Sequence, residues 1–539
     1  MEILSKNNQS SSEDIMINNN NLKNINNKNF ATIIEENYVS IPEFYSDKSV
    51  FITGATGFLG KILVEKLLRS CPNIKNIYLL MRPKKEQKMH ERLLEIFKVP
   101  LFDKIREENP EYFLKVIAIG GDMKSHELGI SDHDQQILIQ NVSIIFHCAA
   151  TVRFNEKIKE AIEINVKGTQ KLMDLSRQMD DLKAFVYVST AYSNCDRREV
   201  DEIFYEVPFN SQAVINMTQN FPDEFLDQCT DSLIGKRPNT YTFTKAIAED
   251  VIRRETNLPI AIVRPSIVTA TVSEPMPGWI DSLFGPTAVV AANGKGIFHT
   301  MICDESIVVD FIPADTAINV MIAAAWKTAQ LKSPETFIYN ATTSTKNPVT
   351  WGKFCETMVD ITVKNPYEGV LWYPTKYITT NKLVHSIYSK FCHYLPAYIL
   401  DGVSKLSGNK PVMVKIQDKL QVANESLEFF KLTEFKFHSR NVDKLLNSMS
   451  KEDEDKFEID VKKIDWNDYF VHYALGIRQY VFKQNSSSIE SCRNRMFKLK
   501  LLHNAMKIVA IFFILKFVLF DLNMYEYILK MMFWFTPNV

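Results

Sequence analysis

Val50-Phe51-Ile52 runs straight into Thr53-Gly54-Ala55-Thr56-Gly57-Phe58-Leu59-Gly60, and that turn opens an amphipathic stretch from Lys61 to Leu68. Apolar strand, glycine turn and helix start is the order that a dinucleotide phosphate site requires. Glycines let the backbone turn tightly and come close to a pyrophosphate, and the helix start offers free N–H groups to its charge. The spacing is Gly-x-x-Gly-x-x-Gly. Glycine-rich turns are common, so the strand before and the helix after carry the argument. Thr53, Gly54, Thr56, Gly57, Phe58, Leu59 and Gly60 are the first candidate cofactor residues.

Five further apolar runs follow at crossover spacing: Ile77 to Met81, Val116 to Ile119, Ile144 to Phe146, Phe185 to Val188 and Ile260 to Val263. Continuous apolar strands separated by helix-length intervals predict a parallel sheet covered on both faces, a doubly wound α/β fold. Its ligand site lies at the carboxyl ends of the strands. After about Val272 the pattern breaks into Pro- and Gly-rich loops, which suit a smaller substrate lobe. The sequence divides into an Asn-rich leader (1–40), a dinucleotide-binding domain with that lobe (45–365), a separate, mostly helical Lys- and Phe-rich module (380–485), and a basic stretch with an apolar tail (490–539).

The formal net charge of −1 argues against a nucleic-acid partner. Eight cysteines without a Cys-x-x-Cys pair fit a reducing compartment better than a disulfide framework or a zinc site. No signal-peptide pattern marks the polar N-terminus. In the tail, Ile508 to Phe520 is apolar except for Lys516. This is shorter than the roughly 20 residues of a spanning helix. Ala505 to Leu522 reads either as a spanning or deeply inserted segment with Lys516 snorkelling, or as an interfacial helix. If it spans, Arg493, Arg495, Lys498, Lys500 and Lys507 put the body on the cytosolic side.

Tyr241 and Lys245 sit four apart, on one face of a predicted helix. A free phenol has a pKa near ~10, and a close ammonium would lower it, so the pair can give a proton to an oxygen that gains charge as hydride arrives. Phe243, Ile247 and Val251 form the other stripe, expected against the sheet. Ser189 and Thr190 end the fifth strand, and either hydroxyl could hold a reacting carbonyl. At the end of the second strand, Arg82 stands where an NAD site carries a carboxylate, with Lys84 and Lys85 after it. That favours the 2′-phosphate of NADPH. Asp122 and Met123 end the third strand; Ala149, Ala150 and Thr151 follow the fourth, where small residues let a ring lie near the backbone. His147 reads as a packed strand residue, with no partner at metal spacing.

The ordered set of these motifs resembles the extended short-chain dehydrogenase/reductases and, more narrowly, the alcohol-forming fatty acyl-CoA reductases of animals. It runs from Ile41-Pro42-Glu43-Phe44-Tyr45 through Tyr78 to Lys84, Phe146 to Phe154, Ser189 to Asn194, Tyr241 to Lys245 and Val263 to Val268. It ends with Ile464 to Tyr469 and Gly476 to Tyr480. The resemblance implies an extended Rossmann fold, NADPH as cofactor and a long-chain fatty acyl-CoA as substrate, reduced by two hydride transfers to a primary alcohol and CoA. It implies Tyr241 as proton donor, Lys245 as its tuner and nicotinamide-ribose ligand, Thr190 in preference to Ser189 at the carbonyl oxygen, and Pro265 and Ile267 at the cofactor. It is compatible with attachment to the bilayer of the endoplasmic reticulum or peroxisome through the tail, and leaves a homo-oligomer open. Two rival enzymatic readings are a two-electron reductase releasing aldehyde and a nucleotide-sugar epimerase or dehydratase. A third is a lipid-binding protein that kept only the fold.

Overall fold

The computed structural model describes residues 38–83, 88–331, 333, 335–517 and 530 of the 539-residue chain. Seven parallel strands form the central sheet: β1 (Ser49–Thr53), β2 (Asn76–Met81), β3 (Val116–Gly120), β4 (Val142–His147), β5 (Ala184–Val188), β6 (Ile260–Pro265) and β7 (Phe337–Ala341). Their order is β3-β2-β1-β4-β5-β6-β7. The chain reverses its direction of travel between β1 and β4, where Thr53 pairs with His147. This is the switch point at which a doubly wound sheet opens a ligand crevice.

Alternation along each strand explains why these runs are apolar throughout. Val50, Ile52, Ile144, Phe146, Val186 and Val188 enter one core. Their neighbours Phe51, Ile145, Phe185 and Tyr187 enter the core on the opposite face. Both faces are covered, so neither set can be polar. Helix α1 (Phe58–Ser70) follows β1. Helix α2 (Thr240–Arg253) precedes β6. The alanine-rich α3 (Ala314–Leu331) packs on β5, β6, β7 and α1.

Three expectations change. The six strands read from the sequence are present, but β7 adds a seventh, hidden because buried Asn340 interrupts its apolar run; Asn340 Nδ2 donates to the carbonyls of Val200 and His438. The leader ends earlier than residue 40: Tyr38 Oη donates to Asp453 at 2.7 Å, and Trp326 Nε1 donates to the Val39 carbonyl. Residues 1–37 of that leader lie outside the described residues. The 380–485 segment is mostly helical but not separate. Lys436–Phe437 pairs in parallel with Glu199–Val200. Phe457 and Ile459 lie in the core beneath the sheet. Tyr469, on helix α6 (Trp466–Gly476), donates its hydroxyl to the Ala270 carbonyl. Two helices of this segment, α4 (Lys382–Ser389) and α5 (Leu395–Leu406), stand on its outer side. The last described helix is α7 (Ile489–Lys516).

The anticipated spanning helix falls partly on residues beyond 517, outside the described ones. Among the described residues no helix is long and apolar enough to cross a membrane.

A buried ion pair locks α2 to the sheet. Arg264, fully buried on β6, reaches Glu249 on α2 at 2.6 Å and 2.9 Å, and also donates to the carbonyls of Asp201 and Ile203. Arg264→Leu leaves Glu249 buried without its guanidinium. We expect a loss of about 3–5 kcal/mol in urea unfolding; a loss below about 1 kcal/mol would mean that α2 is held by apolar packing alone.

Candidate active site

The glycine turn closes on the end of β4. Gly54 adopts φ 75°, and a Cβ there would lie 2.7 Å from the Ala149 amide nitrogen. A Cβ at Gly60 would lie 2.4 Å from the Gly54 carbonyl oxygen and 2.5 Å from Ala55 Cα, so α1 sits directly on the turn. Gly57 is the N-cap of α1 and brings no side chain to its first amides, which stay available to an anion. Arg82, 60% exposed at the end of β2, reaches Asp122 at 3.5 Å. Arg92 donates to the Arg82 carbonyl beside it and lines the same space. Lys84 and Lys85 lie outside the described residues. A glycine cradle that any Cβ would fill, a bare helix start and two guanidinium groups fit a phosphorylated dinucleotide.

Asn239 caps α2 by accepting the Thr242 amide, and the helix carries Tyr241, Lys245 and Glu249 along one stripe toward β5. Lys245 Nζ donates to the Val188 carbonyl at 2.6 Å, lies 3.3 Å from the Tyr187 hydroxyl, and sits 4.6 Å from the Tyr187 ring centre. Burial lowers its pKa to about 8, opposed by Cys148 and Glu249. Thr190 Oγ1 donates to the Pro265 carbonyl at 3.4 Å, accepts the Tyr192 amide and shares the cavity wall with Tyr241. Tyr241 is half-buried and stacks on Phe154 at 5.9 Å. Burial pushes its phenol up to about 12, with the Thr190 hydroxyl pulling the other way.

Two expectations about this helix are corrected. The stripe of Phe243 and Ile247 packs away from the sheet, among Ile158, Val166 and Leu226 of neighbouring helices. The stripe of Tyr241, Lys245 and Glu249 faces the sheet, with Lys245 on the Val188 carbonyl and Glu249 on Ser189 and Arg264. Nor is the phenol lowered by Lys245: the ammonium is held by the Val188 carbonyl, and burial dominates at Tyr241.

One cavity of about 690 Å³ joins these groups. Its wall includes Gly54, Thr56, Gly57, Phe58, Leu59 and Gly60 from the turn, then Arg82, Asp122 and Met123 at the ends of β2 and β3. Ala149 and Ala150, Ser189 and Thr190, Tyr241 and Lys245, and Pro265 and Ile267 complete that part of it. Thr53 and Thr151 are not in the wall. Thr53 Oγ1 bonds His147 Nδ1 at 2.7 Å and accepts the Ala149 amide. Thr151 is tied to Asn165 and Glu156. Ser189 lines the cavity, but its hydroxyl donates to Glu249, which leaves Thr190 as the hydroxyl beside Tyr241. His147 is buried, with its second ring nitrogen bonded to Thr169 and its pKa lowered to about 3 by burial and by Lys245.

The sequence reading missed Tyr187, Glu249, Arg264 and Arg92. Glu249 was within reach as the next i+4 position after Lys245. It also missed how far the cavity extends. Beyond Tyr241, Phe154 packs against Phe284 and Phe430, and the wall continues through Met301, Phe354 and Leu427 to Lys431. The far end is thus shared between the 272–365 region and the C-terminal segment, whose Lys431 Nζ is held by Asn424.

Two family models described as male sterility protein, the first of them NAD-binding, match residues 52–321 and 392–484. The chain is 41% identical to fatty acyl-CoA reductase 1 of Xenopus laevis over 86% of its length and 90% of that protein. It is 40% identical to fatty acyl-CoA reductase 1 of Homo sapiens and 39% identical to fatty acyl-CoA reductase 2 of Mus musculus, with the same coverage. The chain belongs to the fatty acyl-CoA reductase family. The fold of this family member also matches the terminal R domain from the myxalamid biosynthetic pathway, with TM-score 0.52 and 17% identity over 82% of this chain and 93% of that one. The reductase domain of a nonribosomal peptide synthetase from Mycobacterium tuberculosis gives TM-score 0.53 at 16% identity, over 80% and 91%. At that identity the match speaks for the fold alone.

Burial brings the Lys245 ammonium of this reductase down to about 8, so its charge is lost progressively as pH rises through that region. A step that uses its charge weakens as pH climbs through that value, so kcat/KM should fall above about pH 8, since this parameter reports free-enzyme groups. A slower Lys245→Met variant should lack the fall. A fall that persists in that variant would assign it to another group.

Proposed function

We propose that this protein reduces long or very long chain fatty acyl-CoA to the primary alcohol and free CoA, consuming two NADPH. The observation that carries the reading is the continuity of one cavity from the glycine turn, past Tyr241, Lys245 and Thr190, into an apolar arm lined by Phe284, Phe354, Leu427 and Phe430. Family membership and the named activity of the relatives support it. NADPH supplies hydride for the carbonyl carbon. Gly54, Gly57 and Gly60 would take its pyrophosphate, and Arg82 would take the 2′-phosphate.

Thr190 holds the thioester oxygen and Tyr241 protonates it as charge builds there, giving a hemithioacetal. In the collapse of that species the Tyr241 phenolate takes back the hydroxyl proton, the C=O forms, the C–S bond breaks and CoA thiolate leaves. The aldehyde left behind occupies the same hydroxyl pair, and a second reduction with a second proton yields the alcohol. Lys245 steadies the phenolate formed at each proton transfer and holds the nicotinamide ribose. The apolar arm offsets the cost of holding the acyl chain in water, ~0.8 kcal/mol per CH₂.

The raised pKa of Tyr241 favours this direction of chemistry. At neutral pH the phenol keeps its proton and starts as an acid. An epimerase or dehydratase needs the same oxygen to start as a base. Arg82 in the place of a ribose-binding carboxylate also favours NADPH over a tightly held NAD. We further propose that the tail, through the apolar side chains that α7 exposes, associates with the bilayer of the endoplasmic reticulum or peroxisome on its cytosolic side.

Purified protein given excess NADPH and a long-chain acyl-CoA should yield alcohol with two NADPH oxidised per CoA released; aldehyde accumulating in its place would establish the two-electron rival. Tyr241→Phe should slow turnover by about 10²–10⁴ fold with NADPH affinity unchanged. Arg82→Ala should weaken NADPH far more than NADH in the same titration, and equal weakening of both would remove the 2′-phosphate assignment.

A further inference from the structure

Helices α4 and α5, joined by a π-helical turn at Lys390–Tyr394, are built inside out. Apart from Ala397 their buried side chains are polar: His385, Ser389, His393 and Asp401. His385 Nδ1 bonds Thr300 Oγ1 at 3.2 Å, and His393 Nε2 accepts the His299 amide at 2.8 Å. Asp401 accepts the amides of Val412, Met413 and Val414. Their outward side chains are apolar: Leu383 is 71% exposed, Phe391 66%, Ile399 58% and Leu406 91%, with Tyr398 and Val403 among them. A helix pair that faces water carries the reverse arrangement, with apolar groups inward. Scattered exposed apolar residues are ordinary, but a continuous face of this size is not.

We propose that the outer face of residues 382–412 is a bilayer-docking surface that lies in the lipid interface without crossing it. Inward polar groups and outward apolar ones are the arrangement a lipid environment rewards. The charge is complementary to an anionic leaflet. Lys390, Lys405 and Lys410 are exposed in this segment, and its single carboxylate, Asp401, is turned inward as a cap. One loop ties the helix pair to α7. Trp372 donates to His503 on α7, while Tyr377, a few residues on, stacks on Tyr388 of α4 at 4.2 Å.

Docking there has a consequence for the substrate. The strand Thr300–Ile302, on which α4 packs, lines a second, smaller cavity that shares Val289, Met301, Phe354 and Cys355 with the main one. Helix α4 therefore stands between the lipid face and the wall that the two cavities share.

The test uses the full-length chain with the tail made polar by Ile508→Asp, Phe512→Asp and Phe513→Asp, so that the helix pair is read alone. Flotation with phosphatidylcholine vesicles containing phosphatidylserine should retain this protein, and raising salt should weaken it. Adding Phe391→Gln, Ile399→Gln and Leu406→Gln should cut vesicle binding about tenfold or more, with the melting temperature unchanged because all three side chains are exposed. If melting does shift, Leu383→Gln with Ile387→Gln, at the other end of the same face, should give the same loss. Failure of the tail-altered chain to bind vesicles, or equal binding by both chains, would overturn the proposal. So would a dimer in light scattering that the Gln substitutions disperse while vesicles are ignored, since the face would then belong to a second copy. No substrate or cofactor enters this assay, so its failure would leave the proposed reduction untouched.

Discussion

Gly54 meets Ala149 backbone to backbone, and the geometry of the site depends on that approach. β1 and β4 are neighbours in the sheet but lead the chain in opposite directions, so a gap opens beyond their carboxyl ends. A side chain at Gly54 would wedge the two strand ends apart, and one at Gly60 would lift α1 off the turn. With both absent, the first amides of α1 point into a crevice whose far wall is the end of β5. That places Thr190 and the α2 stripe within one cavity of the turn. Thr53 and His147 stabilise the approach from behind rather than joining the wall: the threonine hydroxyl bonds the imidazole and accepts the Ala149 amide.

Six strands and the glycine turn were legible because two covered faces force every strand position to be apolar, and such runs stand out. β7 was not, because Asn340 satisfies backbone carbonyls that arrive from distant parts of the chain, and no local pattern announces that. The integration of 380–485 was invisible for a similar reason: a two-residue strand pairing and single side chains such as Phe457 carry it. The roles of Ser189 and Thr190 could not be separated by spacing alone. Alternation puts Ser189 on the face of Tyr187, toward α2, where Glu249 claims its hydroxyl. Recognising Glu249 as the third member of the Tyr241 stripe would have told the two apart.

The same rule of satisfaction accounts for both the buried cations and the inverted helices. Lys245 and Lys431 are each buried, and each is held by oxygen: the Val188 carbonyl for the first, Asn424 for the second. Arg264 fills its fork with Glu249 and two carbonyls. On α4 and α5, polar groups likewise turn toward partners in the protein, and the apolar ones are left outside. Sequence periodicity identifies which residues share a helix face. It does not say which face is inward, because that depends on whether the solvent outside is water or lipid.

The ionisation of the central pair gives the site a direction. Burial moves the Tyr241 phenol up and the Lys245 ammonium down, to about 12 and about 8. At neutral pH the phenol is neutral and Lys245 is still mostly an ammonium, so the resting site pairs a protonated acid with one cation beside an apolar arm. As an oxyanion develops, the protonated phenol becomes the nearest acid, and the Thr190 hydroxyl beside it favours the phenolate that results. A site that began with a phenolate would pay the full desolvation of that charge before any substrate oxygen could share it. The burial that lets the cavity hold a chain of methylenes is therefore the same burial that sets Tyr241 to give a proton rather than take one.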